Sequence, residues 1–335
     1  MQSAIYGLSG LVLTPDERAF FRDADPAGYI LFHRNCADRE QLRALTDDLR
    51  ALHGRADLPI LIDQEGGRVA RMKPPVWPAF PKAEAFALLY EKAPMSAIEA
   101  ARANAQAIAA MLVESGVNVD CLPLLDVRQP GANDIIGDRA LGNEPMQVAA
   151  LGRAVIEGLR AGGAVGVVKH IPGHGRSMAD SHIELPIVSA DEEALETDLE
   201  PFRTLRNAPM GMTAHVVYTA WDTERCGSLS PVVIEDIIRT RIGFDGLLMS
   251  DDIGMHALSG GFDERTRGVL AAGNDLALHC SGDMAEMEAV ASAAHELTGE
   301  SLERLQRAMA TIAGTQSPEP YEALAAKRDS LLAYA

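Results

Sequence analysis

Short, strongly apolar runs alternate with longer stretches of helical periodicity nearly from one end of the chain to the other. The runs cover 4–8, 28–32, 59–62, 117–125, 165–168, 210–214, 246–249 and 275–278. They are too apolar for a sheet with one wet face, which predicts parallel strands buried on both sides. Between them, 37–52 repeats apolar residues at helical spacing, and 96–115 is long and rich in alanine. Thr14 followed three residues later by Glu17 has the spacing of a capping box. Ser230-Pro231 reads as an N-cap with proline at the first helical position, and Gly243 as the stop. The tail from Met284 onward is helical by pattern. Eight strands alternating with helices predict an α/β fold, a single (β/α)8 barrel domain over 1–335 with extra C-terminal helices. A doubly wound open sheet is the alternative, but the G-x-G-x-x-G loop expected after its first strand is missing.

Composition changes this picture mainly by exclusion. Hydrophobic residues make up 47% of the 335 and charged ones 23%, the balance of a chain with a large core. The formal charge of −18 disfavours nucleic acid and anionic membrane surfaces as partners. Cys36, Cys121, Cys226 and Cys280 lie far apart without a C-x-x-C pair, and read as reduced thiols in a reducing compartment. No apolar stretch reaches the ~18 residues of a membrane span. The first residues lack the basic-then-apolar order of a signal peptide. The expectation is a cytoplasmic monomer.

A barrel places its active site at the C-terminal edges of its strands. Those edges are polar here with unusual regularity. The runs end in His33-Arg34, Asp63, Asp126, Lys169-His170, His215, Ser250-Asp251 and His279. One polar residue at a strand end usually just meets water. Seven such ends among eight predict an enzyme.

Four segments carry the chemistry. From Lys169 to His182, three histidines, a lysine and an aspartate fall within 14 residues, on a loop marked by Pro172, Gly173 and Gly175. Asp180 and His182 are two apart, so the carboxylate can fold back onto the imidazole, fix its tautomer and raise its basicity. That suits proton transfer near neutral pH. In the run 61–71, Asp63 at a strand end precedes a Gly66-Gly67 turn, Arg68 and Arg71. Asp63 could accept from two neighbouring sugar hydroxyls and Arg71 donate to them. Ser250-Asp251-Asp252 places acids at another edge, where a nucleophile or general base belongs. Adjacent residues of an extended chain point opposite ways, so one of the two should face the pocket, and the residues alone leave open which. The loop Gly137-Asp138-Arg139-Ala140-Leu141-Gly142 contributes one arginine.

Together these segments resemble the β-N-acetylhexosaminidase branch of the family 3 glycoside hydrolases. The matching motifs are I-D-Q-E-G-G-R-V at 62–69, K-H-I-P-G-H-G at 169–175, D-S-H at 180–182 and S-D-D at 250–252. They stand in the family's order and span nearly the whole chain. The resemblance implies a retaining exo-β-N-acetylglucosaminidase working through a covalent glycosyl-enzyme. It selects Asp251 over Asp252 as nucleophile and His182, supported by Asp180, as proton donor. It assigns Asp63, Arg71, Arg139, Lys169 and His170 to the terminal sugar. The family's arginine loop usually reads closer to G-x-R-S-F-G, and Ile171 stands where phenylalanine is common. With so few residues after the barrel, the expectation is the single-domain type, without the second α/β domain of many family 3 enzymes. The implied substrate is therefore a muropeptide, N-acetylglucosamine linked β-1,4 to anhydro-N-acetylmuramic acid with or without peptide. No metal or cofactor is implied.

Three rival readings follow from the same residues. A metal-dependent hydrolase would use His170, His174, Asp180 and His182, but its ligands would all have to come from one loop. A class I aldolase would form a Schiff base on Lys169, whose neighbours offer no depression of its pKa. A non-catalytic sugar-binding barrel would not be expected to keep both Asp251 and His182. Because a histidine acid does not repel phosphate as a carboxylate would, phosphorolysis is a side route open to the glycosyl-enzyme.

Overall fold

In the computed structural model, which describes every residue except 180, 182, 183, 316, 318 and 335, all eight apolar runs contribute strands that pair in parallel and close on themselves. In chain order the strands are β1 (Gln2–Gly7), β2 (Pro26–Leu31), β3 (Ile60–Ile62), β4 (Val119–Asp120), β5 (Val165–Ile171), β6 (Ile187–Val188), β7 (Met210–Thr213), β8 (Val217–Tyr218), β9 (Leu247–Asp252) and β10 (Leu276–His279). The barrel order is β1-β10-β9-β7-β5-β4-β3-β2, and β6 pairs with β8 in a separate small sheet. The barrel is the TIM-type (β/α)8 fold. The pair β6–β8 was not foreseen, because two residues are too few to show a period.

Alternation along each strand sorts side chains into two apolar layers. Ile5, Ile30, Leu61 and Val167 point into the barrel. Their neighbours Tyr6, Tyr29, Leu31 and Ile62 point out into the layer beneath the helices. The C-terminal tail is helical as expected, over Met284–Ala293, Gly299–Ala310 and Tyr321–Leu332. The second of these sends Leu305, Ala308 and Met309 into the inner layer and plugs the N-terminal mouth, and the opposite mouth is left open.

The cap signals act as their chemistry dictates. Thr14 and Glu17 form the reciprocal capping box at the helix Pro15–Ala24. Ser230 Oγ accepts from Val233 N at 3.2 Å, and Gly243 ends that helix at φ 77°. The segment Val233–Ile242 between them is wound as a π-helix rather than an α-helix. Caps mark where a helix starts and stops, not its pitch.

The run 117–125 is not one long strand. Pairing in β4 covers two residues, and Pro123, which has no N–H to give, lies in the stretch beyond. That stretch still follows β5, with Val167 N to Leu122 O at 3.0 Å and Leu125 N to Lys169 O at 2.7 Å. It delivers Asp126 to the open mouth. Among the described residues no helix is long and apolar enough to cross a membrane.

Candidate active site

The open mouth holds a cavity of about 260 Å³ lined by Asp63, Arg71, Lys169, His170, Asp251 and, across from them, Arg139. Typical small-molecule pockets run to ~300–1,000 Å³, so this one suits a single small unit rather than an extended chain.

Its floor is a run of alternating charges. Arg71 Nη2 lies 3.0 Å from Asp63 Oδ2, and Lys169 Nζ donates to Asp63 Oδ1 at 2.9 Å. The same ammonium sits 2.8 Å from Glu65 Oε1. Glu65 in turn takes a two-pronged bond from Arg139, Nε to Oε2 at 2.8 Å and Nη2 to Oε1 at 2.7 Å. Burial pushes the Asp63 and Glu65 carboxyls up, but Lys169 with Arg71, and Lys169 with Arg139, override it and hold both below their ordinary values. Burial pulls Lys169 down, and the two carboxylates more than reverse that. A Schiff-base lysine needs a neutral amine; Lys169 is held as a cation.

Local sequence explains how Arg71 comes back over Asp63. The side chain of Gln64 is fully buried and clips the loop shut. Its Oε1 accepts from Arg71 N at 2.9 Å and Met72 N at 3.0 Å, while its Nε2 donates to Met72 O at 3.0 Å. Gly66 sits at φ 91° where a Cβ would lie 2.3 Å from Pro81 O, so the turn admits only glycine. Arg71 also stacks on Phe32, its guanidinium carbon 5.1 Å from the ring centre. Its Nε is buried without a partner among the described residues.

The second group is built on Asp126. This carboxylate is wholly buried and accepts from His170 N at 3.2 Å and His174 N at 2.7 Å through Oδ1. Its Oδ2 lies 2.8 Å from His170 Nδ1, which fixes the proton there and turns Nε2 to the cavity. Burial would raise Asp126, yet the two histidines hold it at about 2. Consecutive residues Lys169 and His170 both line the cavity, at the point where the register of β5 against β7 slips between Val168 and Ile171. His174 is also buried at the cavity, brought down to about 4 by burial and by His170, with Nε2 3.4 Å from Ser181 Oγ. Gly175 passes so close to Val127 that a Cβ would meet its carbonyl oxygen at 2.0 Å.

The third group is the end of β9. The expectation that one of two adjacent acids faces the cavity fails: Asp251 and Asp252 both line it. The strand ends at this point, so strict alternation no longer governs the pair. Their environments differ all the same. Asp251 Oδ1 accepts from Asp252 N at 2.8 Å, whereas Asp252 Oδ1 is occupied by Gly254 N at 2.9 Å. Burial, and then the charge of Asp251, push the Asp252 carboxyl up.

Asp63, Arg71, Arg139, Lys169, His170 and Asp251 thus converge on one cavity. Asp180 and His182 lie outside the described residues. The other polar strand ends go elsewhere. His33 is exposed, His279 is buried against Glu286 at 3.0 Å, and Arg34 bonds the carbonyls of Leu8 and Cys280. Sequence reasoning gave no role to Glu65, placed Asp126 only as a polar strand end, and used His174 only in the rival metal reading. Two buried cations, Lys169 and Arg139, need more than one carboxylate, and that requirement points to Glu65 inside the motif at 62–69. Among the described residues no group of three or more His, Cys, Asp or Glu could hold a metal ion.

The glycosyl hydrolase family 3 N-terminal domain matches residues 12–314. A β-hexosaminidase of Aromatoleum aromaticum is 37% identical over 279 residues, 82% of this chain and 78% of that protein. One from Thiobacillus denitrificans is 38% identical over 282 residues, 82% of this chain and 77% of its own. The crystal structure of NagZ from Neisseria gonorrhoeae in complex with N-trifluoroacetyl-D-glucosamine superimposes with a TM-score of 0.86, at 31% identity over 98% of each chain. Motifs, barrel and relatives agree: the chain belongs to glycosyl hydrolase family 3 and is a glycoside hydrolase.

Proposed function

We propose that the enzyme is a retaining exo-β-N-acetylglucosaminidase that releases terminal β-linked N-acetylglucosamine from peptidoglycan fragments such as N-acetylglucosaminyl-β-1,4-anhydro-N-acetylmuramic acid. One observation carries the reading. A cavity sized for one sugar has the carboxylate of Asp251 on its wall and a preassembled set of hydroxyl-binding charges, Asp63, Arg71, Lys169 and His170, on its floor. Relatives named β-hexosaminidases support the sugar class, as does the N-trifluoroacetyl-D-glucosamine held by the Neisseria gonorrhoeae protein.

In this reading Asp251 attacks the anomeric carbon, and the bond to the leaving oxygen breaks as that oxygen takes a proton from His182. Asp180 steadies the imidazole. His182 then accepts a proton from water, which attacks the glycosyl ester, frees Asp251 and yields the sugar with its configuration retained. Asp63 and Arg71 bind adjacent ring hydroxyls with Lys169 and His170, and Arg139 reaches toward the reacting end. All four cysteines are buried and unpaired, which supports a reducing, cytoplasmic setting. The enzyme acts as a monomer in which 1–335 is one catalytic unit.

The test is hydrolysis of 4-nitrophenyl N-acetyl-β-D-glucosaminide beside the matching β-glucoside, with wild type and Asp251→Ala. Cleavage of the first substrate alone, reduced about 10³-fold or more by the substitution, is expected. No cleavage of either by folded wild type, or undiminished cleavage by Asp251→Ala, overturns the reading.

A further inference from the structure

The β7–β9 pairing runs from Met210↔Leu247 to Thr213↔Ser250, and among the described residues it goes no further. Asp251 and Asp252 therefore project past the last paired residue on that side, held by the ladder only toward β10, through Leu278↔Asp252. A carboxylate that must approach a carbon atom along one line cannot hang on a half-paired strand end.

The gap is filled by a side chain. His215, two residues after β7, is fully buried, and its Nε2 lies 3.0 Å from the carbonyl oxygen of Asp252. A carbonyl only accepts, so Nε2 carries the proton. On the ring's other side Nδ1 lies 2.6 Å from Ser228 Oγ, which fixes the plane of the imidazole. Residue 252 is thereby gripped at four points. Its C=O accepts from His215 on one side and from Met255 N at 3.0 Å on the other, its N–H donates to Asp251 Oδ1 at 2.8 Å, and its carboxylate takes Gly254 N–H at 2.9 Å. His215 does not line the cavity. Its bond ends one residue from the reacting group and nowhere else near it.

We infer that His215 is a positioning residue, substituting for the missing ladder of β7 by bonding the Asp252 carbonyl and so aiming the Asp251 carboxylate into the cavity. The inference rests on the proposed role of Asp251. A merely structural histidine would lower stability when replaced; a positioning histidine lowers kcat while substrate still binds, because the contacts proposed for the sugar lie just after β3 and on β5.

Substitutions of different reach separate the two. The amide of His215→Gln extends far enough to donate to Asp252 O, whereas that of His215→Asn reaches only the position of Nδ1 and Ser228. His215→Phe keeps the volume and loses both bonds. With the nitrophenyl substrate, kcat should fall about 10²-fold in the Phe and Asn variants, with KM within about threefold of wild type. His215→Gln should recover about tenfold of that loss. Equal kcat in folded Gln and Asn variants, kcat near wild type in all three, or a loss confined to KM overturns the inference. The Gln–Asn comparison decides if the Phe variant does not fold. Asp251→Ala in the same assay separates the two levels: if it is active, the reading of the site falls and this inference with it. If it is inactive while His215 variants behave like wild type, only this inference falls.

Discussion

At the closed mouth of the barrel, Asp275 is buried and accepts from Arg239 Nη2 at 2.9 Å, Leu248 N at 2.8 Å, Arg304 Nη1 at 3.1 Å and Ser301 Oγ at 2.5 Å. At the open mouth, Glu65 and Lys169 are also buried, Asp63 is partly exposed, and the three are linked through Lys169 in a run that ends on Arg71 and Arg139. As ion pairs the two clusters look alike. They differ in what is left over. The groups around Asp275 use its lone pairs against the protein itself, and although Arg304 borders a shallow hollow, Asp275 is itself buried beneath it. The upper cluster borders a cavity, leaves Arg71 Nε without a partner among the described residues, and stands beside His170, which Asp126 fixes so that Nε2 faces the cavity. A buried charge is expensive unless paired in either place. Spare hydrogen-bonding capacity turned toward space marks the one that binds something.

Three experiments sharpen the comparison. The largest effect should come from Asp63→Ala, which removes two of the bonds that hold the upper run and the acceptor proposed for sugar hydroxyls. kcat/KM should fall by about 10³-fold, since polar groups left unpaired around a bound hydroxyl discriminate strongly. Steady-state kinetics with the nitrophenyl substrate measure it, and activity within about tenfold of wild type would make the upper cluster structural like the lower. Next, Asp275→Ala should cost about 3 kcal/mol of stability by taking the carboxylate from Arg239, while Arg304 keeps Asp245 and Glu300 and kcat of the folded fraction stays unchanged. Urea unfolding and active-site titration read the two quantities separately. A loss of kcat without a loss of stability would erase the distinction between the ends.

The smallest effect is one of pH. Asp126, held at about 2 by His170 and His174 against burial, stabilises the fold fully above its unfolded value near 3.8. That contribution, about 2 kcal/mol, is lost as pH falls through the folded value, roughly half of it by pH 3. Asp198 works in the opposite direction. Burial pushes it up to about 6 despite Arg176, so lowering the pH from 6 toward 4 favours the native state at that site. The urea midpoint should therefore begin to drop only below about pH 4, and the drop should be shallower in Asp126→Asn. Equal slopes in both proteins would mean that Asp126 is not the anchor of the histidine pair.

Much of the barrel was legible because a parallel barrel buries both faces of its strands, and a run such as 165–168 then has little choice but to be apolar throughout. The helix boundaries at Thr14, Ser230 and Gly243 were legible because caps are local chemistry. What a strand end does is less local. Asp63, Asp251 and His279 look the same in sequence, yet the first two reach the cavity and the third turns to Glu286. The roles of Glu65 and Asp126 were not legible because they depend on partners far along the chain, Arg139 and Lys169 for one, His170 and His174 for the other. The π winding of Val233–Ile242 and the shortened β4 depend on packing and on one proline, which periodicity does not register.

The central claim, that Asp251 carries the sugar, is tested most directly by trapping. A fluorinated N-acetylglucosaminyl substrate with a good leaving group slows release of the glycosyl-enzyme more than its formation. Protein quenched after brief exposure should gain the mass of one sugar, and proteolysis with tandem mass spectrometry should place it on Asp251. Label on Asp252, or turnover of the substrate with no labelled protein at any time, would contradict the account.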